Sequence, residues 1–253
     1  MNRNIMVEAV AVAVDPGSPP MGAYLTRPAA PGRRPACILC PEIFGLTRHV
    51  REAAERLAGE GYVAIVPDFN HRTEPGVELG YDEAGRAKGL ALLRQLHRPQ
   101  VLDDLAATLR YLRNRSDTSA KTAVLGFSAG GHIAYLAATA FDVSAIVSLY
   151  GGWIANTDIP LSQPEPTIAL TPDIARHGAR VLYIVGSDDH LIARDQREAI
   201  EQELTAAKVR HELVVYEGVK HGFMFDGRPA FDAAASEDSW RRIIALFADE
   251  LSP

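Results

Sequence analysis

Thr122-Ala-Val-Leu-Gly126-Phe-Ser128-Ala-Gly130-Gly131-His132 is an apolar run, then a glycine-flanked serine, then the start of an Ala-rich, helix-forming stretch. This is the G-x-S-x-G pattern in the strand–turn–helix setting that it needs. A nucleophile at such a turn sits on strained backbone that pushes its side chain outward, so the residues two positions away on either side must be glycine. The N–H of Ala129, at the start of the helix, points where an oxyanion would form. Ser128 is therefore the candidate nucleophile.

Working outward, the chain alternates strands and helices. Val7 to Val14 and Gly22 to Arg27 read as a hairpin around the turn-rich Asp15-Pro-Gly-Ser-Pro-Pro20. A buried strand ends at Pro41. Thr47 can cap a helix that runs to Leu57, and Tyr62 to Val66 is an interior parallel strand. Residues 68 to 80 read as a long loop. Helices follow at 81 to 96 and from Pro99 through Leu112, then the strand before Ser128 and a helix from Ala129 to Ala140. A strand at 145 to 149, a Pro-rich loop from Gly151 to Thr171, strands at 181 to 185 and 211 to 216, and helices at 195 to 207 and about 231 to 251 complete the reading. The expectation is a single α/β domain over residues 1 to 253, with a mostly parallel, doubly wound sheet, helices on both faces and an N-terminal antiparallel hairpin. Chemistry in such sheets sits at the carboxyl ends of the strands.

Two further groups stand at such ends. Strand 181 to 185 runs into Gly186-Ser-Asp188-Asp189-His190, and strand 211 to 216 into Glu217-Gly-Val-Lys-His221-Gly222-Phe223. A serine hydroxyl needs a base, and a carboxylate to orient that base, in the chain order Ser, acid, His. Of the eight histidines only His221 follows the last strand. Residue chemistry alone leaves Asp188 and Asp189 open as the acid. No histidine pair has metal-ligand spacing, so no metal and no cofactor is expected.

Composition narrows the classes. Apolar residues make up 47% of the chain and the net charge is −6, with no basic stripe for nucleic acid. Arg110, Arg113 and Arg115 close a predicted helix, where they complement its dipole. No apolar run reaches the ~20 residues of a membrane helix, so a cytoplasmic protein is expected. Cys37 and Cys40, the only cysteines, resemble a C-x-x-C pair. On a strand, however, they face opposite ways about 10 Å apart, which predicts buried free thiols.

Together, Pro41-Glu42-Ile43-Phe44-Gly45-Leu46, Gly61-Tyr62 with Val66-Pro67-Asp68, the Ser128 turn, the Gly-x-x-Asp189-His190 turn and Lys220-His221-Gly222-Phe223 resemble the dienelactone hydrolase family of the α/β-hydrolase superfamily. The resemblance runs from about Ala23 to the C-terminus. It implies an α/β-hydrolase fold and a carboxylic ester or lactone hydrolase working through an acyl-enzyme. It also implies Asp189 as the acid, since the family's acid is the fourth residue of that turn, and the Ile43 N–H as second oxyanion donor beside Ala129. The partner is then a small ester or lactone, and the protein a monomer or homodimer. Acyl transfer or lactonisation on the same triad, or a non-catalytic binding protein on the same fold, are the competing readings.

The sequence departs from the family pattern twice. The family carries cysteine where this chain has Ser128, and a glutamate matching Glu42 helps to ionise that thiol. A serine hydroxyl cannot persist as an alkoxide at neutral pH, so Glu42 is expected to shape the pocket, orient a water or hold the Ser128 hydroxyl. The family also binds a carboxylate with two arginines. Arg86 matches the first, with Arg72 as a rival, but the second position holds Phe225. Phe44, Phe127, Tyr150, Trp153, Phe223 and Phe225 around the expected mouth suggest a more hydrophobic substrate.

Overall fold

A computed structural model describes residues 4–252. In chain order the elements are β1 (Ile5–Val12), β2 (Met21–Pro28), β3 (Arg34–Cys40), α1 (Arg48–Gly59), β4 (Val63–Pro67), α2 (Glu83–Leu93), α3 (Arg98–Arg113), β5 (Thr118–Phe127) and α4 (Ala129–Ala140). After them come β6 (Ala145–Leu149), α5 (Thr171–His177), β7 (Arg180–Gly186), α6 (Arg194–Ala206), β8 (His211–Tyr216) and α7 (Ala233–Leu251). One eight-stranded sheet runs in the order β1-β2-β4-β3-β5-β6-β7-β8. The β1–β2 and β2–β4 pairs are antiparallel and the remaining pairs parallel, so the expected α/β-hydrolase architecture with its N-terminal hairpin is present.

The apolar pattern explains the layering. All five residues of β4 and of β6 are buried, as strands covered on both faces require. In α1, Val50, Ala53, Ala54, Leu57 and Ala58 form one buried face against β2 and β4. Beside it on the same face lies α7, with the Arg56 guanidinium 4.6 Å from the Trp240 ring centroid. The helices α3, α4, α5 and α6 form a contiguous row against the other face.

Several local expectations change. Thr47 occupies the cap position of α1, but its hydroxyl meets Tyr81 Oη at 3.3 Å and caps nothing. The last helix starts at Ala233 because the Asp232 carboxylate accepts from the Ala235 N–H and fixes its beginning. Arg115 does not serve the end of α3. It forms a two-pronged pair with Asp117 at 2.8 and 2.7 Å. The Pro-rich stretch after β6 contains two short 3₁₀ turns, Pro160–Ser162 and Thr167–Leu170, and leads directly into α5, which has no counterpart in the sequence reading. Cys37 and Cys40 are free and fully buried, and burial drives both thiols' pKa values up.

Candidate active site

The turn between β5 and α4 presents Ser128. Its backbone adopts φ 56° and ψ −118°, a conformation that a side-chain-bearing residue holds only when its surroundings impose it. Two glycines make that possible. A Cβ on Gly126 would stand 1.8 Å from the Gly130 carbonyl oxygen, and one on Gly130 would stand 2.0 Å from the Cys40 carbonyl oxygen. Helix, elbow and β3 are thus packed backbone to backbone. The Ser128 N–H bonds to the Leu149 carbonyl at 2.9 Å, which locks the turn to β6.

Loops from three strand ends meet at this turn. Ser128 Oγ lies 2.9 Å from His221 Nε2, and His221 Nδ1 lies 2.8 Å from Asp189 Oδ2. The other Asp189 oxygen, Oδ1, accepts the Leu191 N–H at 2.9 Å, so both carboxylate oxygens face N–H donors. That fixes the tautomer: Nδ1 carries the proton and Nε2 is free to accept from the serine. All three residues are at most 8% exposed. Asp188, the neighbour that residue chemistry left open, is exposed and accepts from the Ser187 hydroxyl at 3.2 Å. The N–H groups of Ile43 and Ala129 donate to no protein acceptor among the described residues.

A cavity of about 480 Å³ opens over Ser128 and His221. Glu42, Phe44 and Tyr81 line it on one side, and Arg86, Leu90 and Arg94 reach it from α2 and its C-terminal end. Trp153, Asp158 and Ile159 line it from the segment after β6. Arg86, and not Arg72, reaches this space. Arg72 is held by Asp104 at 2.8 Å, elsewhere in the molecule. Phe127, Tyr150 and Phe223 are fully buried behind the site and do not line it, which corrects the expectation of an aromatic mouth at those positions. Phe225 belongs with them, stacked on His49 at 4.9 Å and tilted against Phe127. Tyr150 still contacts the site from beneath, with its ring edge-on to His221 at 5.0 Å.

Glu42 does not hold the Ser128 hydroxyl, which bonds to His221. Glu42 Oε1 instead accepts from Arg228 Nη1 at 2.7 Å, and Oε2 is buried without a protein partner. Arg228 also lies 4.7 Å from the Tyr81 ring centroid and 5.6 Å from that of Phe44. Burial, reinforced by the Glu42 charge, pushes the Tyr81 hydroxyl up to about 12. Arg228 stands outside the sequence expectation, which puts the second arginine at the position held by Phe225. The usable signal was position alone, since Arg228 is the first arginine on the loop that carries His221. His190 is a further residue of the site outside that expectation: its ring is edge-on to His221 at 5.9 Å and it lines the cavity.

The profile of the dienelactone hydrolase family matches residues 21–251. The chain belongs to that family. A Synechocystis protein provisionally named a carboxymethylenebutenolidase is 36% identical over 236 residues, covering 91% of this chain and 92% of the relative. Carboxymethylenebutenolidase 1 of Cupriavidus pinatubonensis is 27% identical, covering 90% and 91%. Among solved structures, a Klebsiella pneumoniae protein provisionally named a dienelactone hydrolase superposes with a TM-score of 0.84 at 30% identity, covering 96% of this chain and 98% of that one. No described helix is long and apolar enough to cross a membrane, and no described group of three or more His, Cys, Asp or Glu side chains is placed to hold a metal ion.

Proposed function

We propose that this dienelactone hydrolase family member, a hydrolase of the carboxylic ester and lactone class, cleaves its substrate through an acyl-Ser128 intermediate. The observation that carries the proposal is the continuous Ser128–His221–Asp189 hydrogen-bond chain at the floor of the cavity. In the first half-reaction His221 Nε2 takes the Ser128 proton as Oγ attacks the substrate carbonyl. The carbonyl oxygen gains a negative charge, which the Ile43 and Ala129 N–H groups receive. One such donor is worth ~3 kcal/mol of barrier. As the intermediate collapses, His221 returns the proton to the leaving alkoxide. For a lactone that alkoxide stays on the acyl chain. Water then enters, loses a proton to His221 and attacks the ester carbonyl of acyl-Ser128; as the Oγ–acyl bond breaks and the acid leaves, His221 returns that proton to Ser128 Oγ.

Asp189 stabilises the imidazolium formed in each half and keeps Nε2 facing the serine. Glu42 has no thiol to ionise here. Its bond to Arg228 holds that guanidinium against the cavity wall. The lactone-hydrolase names carried by the relatives support the same substrate class.

Fluorophosphonate labelling of Ser128 and turnover of p-nitrophenyl esters and lactones test the proposal. Ser128→Ala and His221→Ala should each lower kcat/KM by about 10⁴-fold or more while the protein stays folded. Absence of both labelling and turnover in the wild type overturns it.

A further inference from the structure

The stretch between β6 and α5 supplies the cavity wall formed by Trp153, Asp158 and Ile159, yet it contains only two short 3₁₀ turns. Side chains from the core hold it at its carbonyls. The Tyr183 hydroxyl donates to the Gly151 carbonyl at 2.7 Å, and Arg98 Nε and Nη2 donate to the carbonyls of Leu161 and Glu165 at 3.0 and 2.6 Å. Between these anchors lies His132, one turn beyond Ser128 on α4 and fully buried. Its Nδ1 is 3.1 Å from the Gly152 carbonyl oxygen and its Nε2 is 2.7 Å from Thr167 Oγ1.

The direction of every bond in this group is fixed. A carbonyl oxygen only accepts, so His132 Nδ1 carries the proton and Nε2 must accept. The Thr167 hydroxyl therefore donates to Nε2. Its remaining acceptor capacity takes Arg98 Nη2, a guanidinium that can only donate, at 3.2 Å. The result is a one-way chain from Arg98 through Thr167 and His132 to the Gly152 carbonyl. Burial pushes the His132 pKa down to about 3, so the imidazole stays neutral and the chain keeps this polarity at ordinary pH.

The chain ends one residue before Trp153. That tryptophan has φ 59°, a left-handed conformation that costs a bulky residue ~1–3 kcal/mol and persists only when its neighbours impose it. The Gly151 and Gly152 carbonyls, held by Tyr183 and His132, are the fixed points just before it. We propose that the Arg98–Thr167–His132 chain is a positioning device that holds Trp153 in this conformation and thereby sets which acyl and alcohol groups the cavity accepts. The proposal rests on the cavity being the ester site. None of the three residues lines that cavity; each acts through the backbone that carries Trp153.

Thr167→Val keeps the side-chain shape and removes the hydroxyl that joins the chain. Steady-state kinetics on p-nitrophenyl acetate and p-nitrophenyl octanoate should show KM for the octanoate rising about tenfold with kcat held, and both acetate parameters unchanged. Thr167→Ser restores the hydroxyl and should restore the octanoate KM. The protein has two tryptophans, so a Trp240→Phe background leaves Trp153 as the single indole. In that background, acrylamide should quench Trp153 fluorescence more strongly in Thr167→Val, and Thr167→Ser should reverse the gain. Arg98→Lys breaks the chain at its other end and should shift quenching the same way, which covers a Thr167→Val protein that does not fold. Equal losses on both esters, or quenching unchanged in both variants, overturns the proposal. If Ser128→Ala keeps full turnover, the esterase reading fails on its own, while the quenching comparison still reports on the chain.

Discussion

Two parts of the site hold strained residues in opposite ways. At the elbow, Ser128 is fixed by backbone: glycines let β3, β5 and α4 touch main chain to main chain, and the nearest contacts to a hypothetical Cβ are carbonyl oxygens. Across the cavity, Trp153 is fixed by side chains that reach in from α3, α4 and β7. The first arrangement centres on the short run Gly126–Gly131 packed against the backbone of β3 and β6, and it tolerates almost no change. The second is assembled from residues 20 to 69 positions apart, so it can be tuned piece by piece.

The largest effect expected on this contrast is from Gly130→Ala. With its Cβ only 2.0 Å from a backbone oxygen, β3 and α4 must separate. The elbow cannot absorb this, and a loss of about 3 kcal/mol or failure to fold is expected, read by urea denaturation together with esterase activity. A deletion on the opposite wall should behave differently. Trp153→Ala should leave kcat for p-nitrophenyl acetate within a fewfold while raising KM for bulkier esters by about tenfold.

Acid probes the side-chain-held region next. In the unfolded chain His132 protonates near its ordinary pKa of 6.5, while the folded protein resists until about 3. Below pH 6.5 the unfolded state therefore binds the extra proton. His132 thus lowers stability by up to ~1.4 kcal/mol per pH unit as pH falls towards 3, and contributes no slope above 6.5. Burial raises the carboxyl pKa values of Asp68 and Asp104, which acts in the opposite direction. The clean measurement is the difference in urea midpoint between wild type and His132→Gln across pH 7 to 4, where the variant should show the flatter profile.

The smallest effect is expected at Asp188, in contrast to the carboxylate beside it. Asp188→Asn should change kcat/KM by less than about twofold, since this exposed carboxylate accepts from the Ser187 hydroxyl and not from His221. Asp189→Asn should lower it by about 10⁴-fold through the wrong His221 tautomer. Equal effects would break the assignment of the acid.

What the sequence made legible follows the same division. The fold and the elbow were readable because both rest on local pattern: buried runs of strand residues, a glycine two positions either side of Ser128, and loops at the carboxyl ends of strands. The choice of Asp189 over Asp188 needed the family resemblance, because adjacent carboxylates on one turn differ only in where the turn points them. Arg228 and His132 were not readable in their observed settings. Glu42 and Arg228 are 186 residues apart, and no local period ties them together. Nor does composition separate an aromatic that lines a cavity from one behind it: Phe44 and Trp153 line it, while Phe127 and Phe223 are core. The helix α5 escaped because only seven residues long, and opened by Thr171-Pro172, it reads as the tail of a Pro-rich loop.

The sulfur chemistry of the chain has a practical consequence. Its only two thiols are sealed within β3, where burial disfavours the thiolate, and the proposed nucleophile is an alcohol. Peroxide and thiol-directed alkylating agents act on thiolates, and the reacting centre holds no thiol. Among the described residues, the sulfur most open to oxidation is that of Met6 on the outer strand β1, across the sheet from the site. Turnover should therefore persist under oxidant stress that would silence a cysteine-dependent relative.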